Sequence, residues 1–153
     1  KGRIIVSSSL HCCFSSALPT VGAGGDLGIS NGDIIVNAGS GGRTVDPGRR
    51  SRCGGHAPVI KGSSTENTVT INAEKDQTAN VTIEDVNIDM SVAGKAAVST
   101  TGEGNVSIEL NGESTLRSGY EHAGLEKNNG GSLTIADEDK NGKLTAWGGQ
   151  QGA

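Results

Sequence analysis

Aromatic side chains are nearly missing from this chain: Phe14, Tyr120 and Trp147 are all there are in 153 residues. A sandwich or barrel of this length ordinarily fills its interior with several rings, each burying roughly 150–250 Å². Here the interior falls to Val, Ile, Leu and Ala, which suits a narrow core of stacked aliphatic rows. Helix signals are equally scarce. No segment keeps a helical apolar period for three turns, and 25 glycines interrupt most windows. No apolar run approaches the ~18 residues of a membrane-spanning helix. The stretch Ile4 to Leu18 is too rich in serine for a good signal-peptide core. Positive charge is short as well, with a net charge of -4, which argues against nucleic acid. The one basic cluster, Arg43, Arg49, Arg50 and Arg52, lies in a Gly/Pro-rich stretch with no ring nearby for a base to stack on, and reads as a solvated loop. Cysteine is limited to Cys12, Cys13 and Cys53, an odd count that forbids a fully paired framework. One bridge to Cys53 and three reduced thiols both remain open. A zinc site would need His11 or His56 as well, and the spacing fits no usual pattern.

What the chain does have is short strands. DIIVN (33–37), TVTIN (68–72), NVTIEDVNID (80–89), NVSIEL (105–110), SLTIA (132–136) and KLTAW (143–147) mostly alternate an aliphatic with a polar residue. That alternation marks a strand with one buried face. Several share a template of aliphatic, small hydroxyl, isoleucine: Val69-Thr70-Ile71, Val81-Thr82-Ile83, Val106-Ser107-Ile108 and, with leucine first, Leu133-Thr134-Ile135. The steps from Thr82 to Ser107 and from Ser107 to Thr134 are 25 and 27 positions. Near-constant spacing with variable loops is the pattern of stacked solenoid coils. The step of 12 positions from Thr70 to Thr82 is half a coil, which places those two strands on different faces.

Val and Ile are stiff at χ1 and pack well on a pleated surface, and Gly, Asn and Asp supply the corners. GEGN, NNGG, KNGK and GGQQG stand where corners are needed. The fold expected is therefore an all-β parallel β-helix, or solenoid. The alternative is an antiparallel β-sandwich, in which Asn141-Gly142 turns a hairpin between Ile135 and Leu144. Residues 1–32 fit the repeat poorly and read as an atypical N-terminal cap or disordered segment; 33–153 read as solenoid repeats. Ala38 to Pro58 is Gly- and Arg-rich and shows no strand pattern. The chain stops in a Gly-rich turn, Gly148 to Ala153, where further coils are expected. Self-association through uncapped solenoid ends follows from their unpaired edges.

From about Ile34, and chiefly from Asn67 to Ala153, the sequence resembles the right-handed β-helix repeats of large secreted bacterial surface proteins of adhesin-like or carbohydrate-binding type. NVTIEDVNID, GNVSIELNGES and GGSLTIADEDKNGKLTAWGG carry the likeness. The resemblance implies a right-handed coil and an extracellular or cell-surface bacterial module. SSSLHCCFSS and VDPGRRSRCGG, in the first third, depart from that style.

Two constellations are candidates for chemistry. Asp137-Glu138-Asp139-Lys140-Asn141-Gly142 matches the opening of a calcium loop, with Asp137, Asp139 and Asn141 as oxygen donors, while Gly148 stands where an EF-hand needs its bidentate glutamate. An EF-hand is thus excluded; what remains is a partly hydrated calcium site or simply an acidic turn. Tyr120, Glu121 and His122, with Trp147 about one coil further on, are the second. Exposed rings stack on sugars and the polar pair bonds hydroxyls; alternatively, both rings cover corners of a thin core. A glycosidase would need two carboxylates about 5–9.5 Å apart, and Glu84, Asp85, Asp89, Glu109 and Glu113 are the candidates, with Arg117 and Lys127 as basic groups for a lyase. Nucleophile-elbow, P-loop and H-E-x-x-H motifs are absent.

The leading expectation is a non-enzymatic binding or structural module with a glycan or protein surface as partner, and no nucleic acid or membrane span. Its competitors are a polysaccharide-active β-helix enzyme and a small inhibitor of a partner protein.

Overall fold

The computed structural model describes residues 4–8, 12–13, 26–38 and 57–151. The arginine cluster and Cys53 lie outside them. Thirteen strands run in chain order: β1 (Ile4–Ser8), β2 (Cys12–Cys13), β3 (Asp26–Gly28), β4 (Ile34–Ala38), β5 (Val59–Ser64), β6 (Val69–Ala73), β7 (Thr78–Asp89), β8 (Val98–Thr101), β9 (Asn105–Asn111), β10 (Glu113–Arg117), β11 (Leu125–Lys127), β12 (Leu133–Ala136) and β13 (Lys143–Trp147). A 3₁₀ turn at Ile29–Asn31 is the only helical element among the described residues. Among the described residues every strand pair is parallel except β1 with β2. The fold is a parallel β-solenoid of about three turns.

Each full turn has three faces. The first stacks β1, β4, β6, β8 and β11. The second stacks β5, the first half of β7, β9 and β12; the third stacks the end of β5, the second half of β7, β10 and β13. β12 and β13 do not pair with each other, so Asn141-Gly142 is a corner between two faces and not a hairpin. That disposes of the antiparallel sandwich. Of residues 1–32, β1 and β3 already lie in parallel register beneath β4 and β5.

Inward residues form aliphatic rows up the coil. Ile34, Val69, Val98 and Leu125 make one; Val81, Ile108 and Ile135 make another. Core members such as Ile71, Ile83, Ile88, Ile108 and Leu116 are fully buried. The register differs from the one the repeat template predicts. Ser107 stands over Asn80 and under Thr134, so the coil step on the second face is 27 positions both times, and Thr82 lies beneath Glu109. Thr70, on the first face, instead shares a row with Ile35 and Ser99. The like-looking triplets Val81-Thr82-Ile83 and Val106-Ser107-Ile108 are therefore slipped by two residues. A two-residue slip keeps each side chain on its face, so the pattern alone does not reveal it.

The corner between the second and third faces is made by Asp85 in one coil and Gly112 in the next. Both have positive φ, +48° and +65°, and Asp85 Oδ1 accepts the Glu113 N–H at 3.1 Å. Just past the corner, the buried Ser114 hydroxyl accepts the Val86 N–H at 3.1 Å. Ser114→Ala strands that amide in the core, and a loss of about 1–3 kcal/mol is expected, read as a lower urea midpoint at unchanged slope.

Candidate functional site

Outward residues also form rows, and on the third face these rows are the most varied chemically. Asn87, Thr115 and Thr145 stand in one, Asp89, Arg117 and Trp147 in the next, with Glu113 and Lys143 alongside. Trp147 is the one aromatic on a strand exterior among the described residues. The Arg117 guanidinium carbon lies 4.7 Å from its ring centroid, close enough for a cation–π contact worth about 0.5–1 kcal/mol at an exposed site. Below, Arg117 Nη1 is 3.9 Å from Asp89 Oδ2, a half-exposed pair that contributes little by itself. Asp89 is held well ionised: the Ser91 hydroxyl and then the Ser91 N–H lower its pKa against a small desolvation effect, with Arg117 adding to the shift. Its Oδ1 accepts both Ser91 donors. A fixed carboxylate thus faces Arg117, which in turn braces the indole.

The turn after β10 packs on the segment after β13. Ser118 N–H bonds Trp147 O at 2.9 Å, Gly149 N–H bonds His122 O at 2.9 Å, and Glu121 N–H bonds Gln150 O at 3.0 Å. Tyr120, Glu121 and His122 are therefore brought to the corner that Trp147 adjoins. Tyr120 and Trp147 are 52% and 49% exposed, so neither ring is consumed by the core. Trp147 stands one rung above Arg117, and the rung above the 120–122 turn is the 149–150 backbone.

His122 Nδ1 lies 2.7 Å from Glu126 Oε2, and Asn128 Nδ2 donates to Glu126 Oε1 at 2.7 Å. The Asn128 amide first, then His122, hold the Glu126 carboxyl below the ordinary glutamate range. A lowered folded-state pKa stabilises the fold fully above the unfolded value, and that contribution is lost as pH falls through the folded value. The stability gap between the wild-type chain and Glu126→Gln should accordingly be constant near neutrality and close on acidification below the ordinary glutamate pKa. Urea titrations at a series of pH values measure it; a gap independent of pH down to full protonation contradicts the assignment.

Asp137, Asp139 and Asn141 lie in the corner between β12 and β13. Asp137 Oδ1 accepts the N–H of Asn141 at 3.0 Å and of Gly142 at 3.1 Å. The carboxylate closes its own turn. Among the described residues no group of three or more His, Cys, Asp or Glu is placed to hold a metal ion. Four of the carboxylates considered for hydrolysis make local contacts, Asp89 with Ser91 among them. Glu84 binds Lys61 Nζ at 2.9 Å and the Asn111 amide at 3.0 Å, Asp85 caps a corner, and Glu109 accepts the Glu138 N–H.

Comparison with protein-family models, with curated proteins and with solved structures yields no match. The site therefore rests on its own geometry. That geometry adds Glu126 to the residues expected from sequence and places Asp89 and Arg117, considered there as catalytic groups, in one row with Trp147. The signal for Arg117 was present: Ser114-Thr115-Leu116-Arg117 and Leu144-Thr145-Ala146-Trp147 share a threonine followed by an apolar residue, 30 positions apart. Among the described residues no helix is long and apolar enough to cross a membrane.

Proposed function

We propose that this chain is a non-enzymatic binding module of an extracellular, surface-bound protein, and that it takes a glycan on its third face and the adjoining corner. The observation that carries this reading is the pairing of two half-exposed rings, Trp147 and Tyr120, with a braced arginine and rows of hydroxyl and amide side chains. An indole resting against Arg117 has less side-chain freedom to lose when the apolar face of a sugar ring stacks on it. Asn87, Thr115 and Thr145 present donors and acceptors for sugar hydroxyls on the same flat surface. A strand-stacked face spaces such groups at roughly 4.8 Å per rung, which suits an extended chain over a compact ligand.

A glycan array probed with the purified chain, in calcium and again in chelator, tests this. Binding should appear in both conditions and drop at least tenfold in Trp147→Ala, while urea stability changes by less than about 1 kcal/mol. Silence from a chain shown to be folded removes the glycan reading and turns attention to a protein partner. Binding that survives Trp147→Ala and Tyr120→Ala moves the site off this face.

A further inference from the structure

Four Asn-Gly pairs occur in the chain, at Asn31, Asn111, Asn129 and Asn141, each followed by its glycine. A following glycine leaves the backbone nitrogen unhindered, which makes such pairs the most reactive asparagines in an unfolded chain. The fold treats them very differently. Asn129 is 4% exposed. Its amide donates to Gly104 O at 2.9 Å and Ser132 O at 3.0 Å, and its Oδ1 accepts the Thr100 hydroxyl at 2.8 Å. Asn111 is half-buried, and its amide donates to Glu84 Oε2 at 3.0 Å. Asn31 is exposed and ends a 3₁₀ turn. Asn141 is exposed, lies outside any helix or strand, and among the described residues hydrogen-bonds only through its backbone N–H. Next to it, the Gly142 N–H donates to the Asp137 carboxylate at 3.1 Å, a bond the attacking nitrogen must first release.

We infer that Asn141 is a site of spontaneous deamidation, and that the fold protects Asn111 and Asn129 from the same reaction. The Gly142 nitrogen loses its proton and attacks Asn141 Cγ. The new N–Cγ bond closes a succinimide as the Cγ–Nδ2 bond breaks, and the side-chain nitrogen leaves as ammonia. Water then opens either imide carbonyl, giving aspartate or isoaspartate at position 141. The isoaspartyl form lengthens the main chain by one methylene inside the corner that joins β12 to β13, where Asp137 Oδ1 caps two successive N–H groups. The change also adds a negative charge beside Asp137, Glu138 and Asp139.

The test is incubation of the folded chain at mildly alkaline pH and body temperature, followed by peptide mapping of all four pairs and isoaspartate quantification. The same chain in denaturant serves as reference. In denaturant the four pairs should react at similar rates. In the folded chain Asn141 should keep a rate within about tenfold of its unfolded value, whereas Asn111 and Asn129 should slow by a hundredfold or more, the kinetic counterpart of a ~3 kcal/mol barrier. Asn141→Gln should abolish the modified fraction at that corner. An Asn141 as protected as Asn129, or an Asn129 as reactive as Asn141, overturns the inference.

Discussion

Gly119→Val is expected to abolish the fold, or to destabilise it by more than about 3 kcal/mol, the upper end of ordinary overpacking. At the corner between the third and first faces, successive turns approach through their backbones. A Cβ on Gly119 would stand 2.4 Å from the Gly94 Cα, and one on Gly149 would meet the Gly119 carbonyl closer still. No flexible side chain is available to move aside, so the coils themselves must part. The Gly119 N–H to Lys95 O bond, 2.8 Å long, would go with them. Circular dichroism and urea unfolding of the variant measure the effect. Stability within about 1 kcal/mol of wild type would mean that the corner does not stack as described.

The second large effect separates two isoleucines in one row. Ile108 is fully buried, with Val81 on one side and Ile135 on the other. Ile108→Ala removes three methyl or methylene carbons from a packed interior and should cost about 2–5 kcal/mol. Ile135, one rung further along, is 47% exposed, and its truncation should cost less than about 1.5 kcal/mol, since much of its surface is in water in either state. The ratio matters more than either value. Equal losses would place the two residues in equivalent surroundings, which the stacking order does not allow.

The inside of the coil was legible wherever aliphatic residues alternate: β4, β6, β7, β9, β12 and β13 all fall on segments that the sequence marks as strands. Two of the strands left unmarked share a physical reason. β10, ESTLR, turns Ser114 inward, and β8, VSTT, turns Thr100 inward. In both, the buried position is a hydroxyl that serves a neighbouring coil: Ser114 for Val86, Thr100 for Asn129. A hydrophobicity pattern reads such residues as surface. The coil length on the second face was legible to within two residues, and the residual slip came from matching similar triplets that occupy different rungs. In the candidate site, Tyr120, Glu121, His122 and Trp147 were singled out from sequence because rings are so rare here. Arg117 and Asp89 joined them only once the register between β7, β10 and β13 was known. The acidic loop from Asp137 spelled a calcium motif, and one oxygen of its first carboxylate, Oδ1, bonds its own backbone. One-dimensional spacing does not say where an oxygen points.

The whole account depends on parallel, in-register coils, and paired-cysteine cross-linking tests that most directly. In a background with Cys12, Cys13 and Cys53 replaced by serine, Thr115→Cys with Thr145→Cys joins two register partners on neighbouring strands of the third face. Strands spaced at roughly 4.8 Å lie within the Cα separation a disulfide spans. Glu138→Cys with Thr145→Cys is the pair that a hairpin over Asn141-Gly142 would set opposite each other. The solenoid predicts rapid, near-complete oxidation of the first pair in the folded chain and little of the second. Efficient linking of the second pair with none of the first would contradict the stacking, and with it the row of Asp89, Arg117 and Trp147.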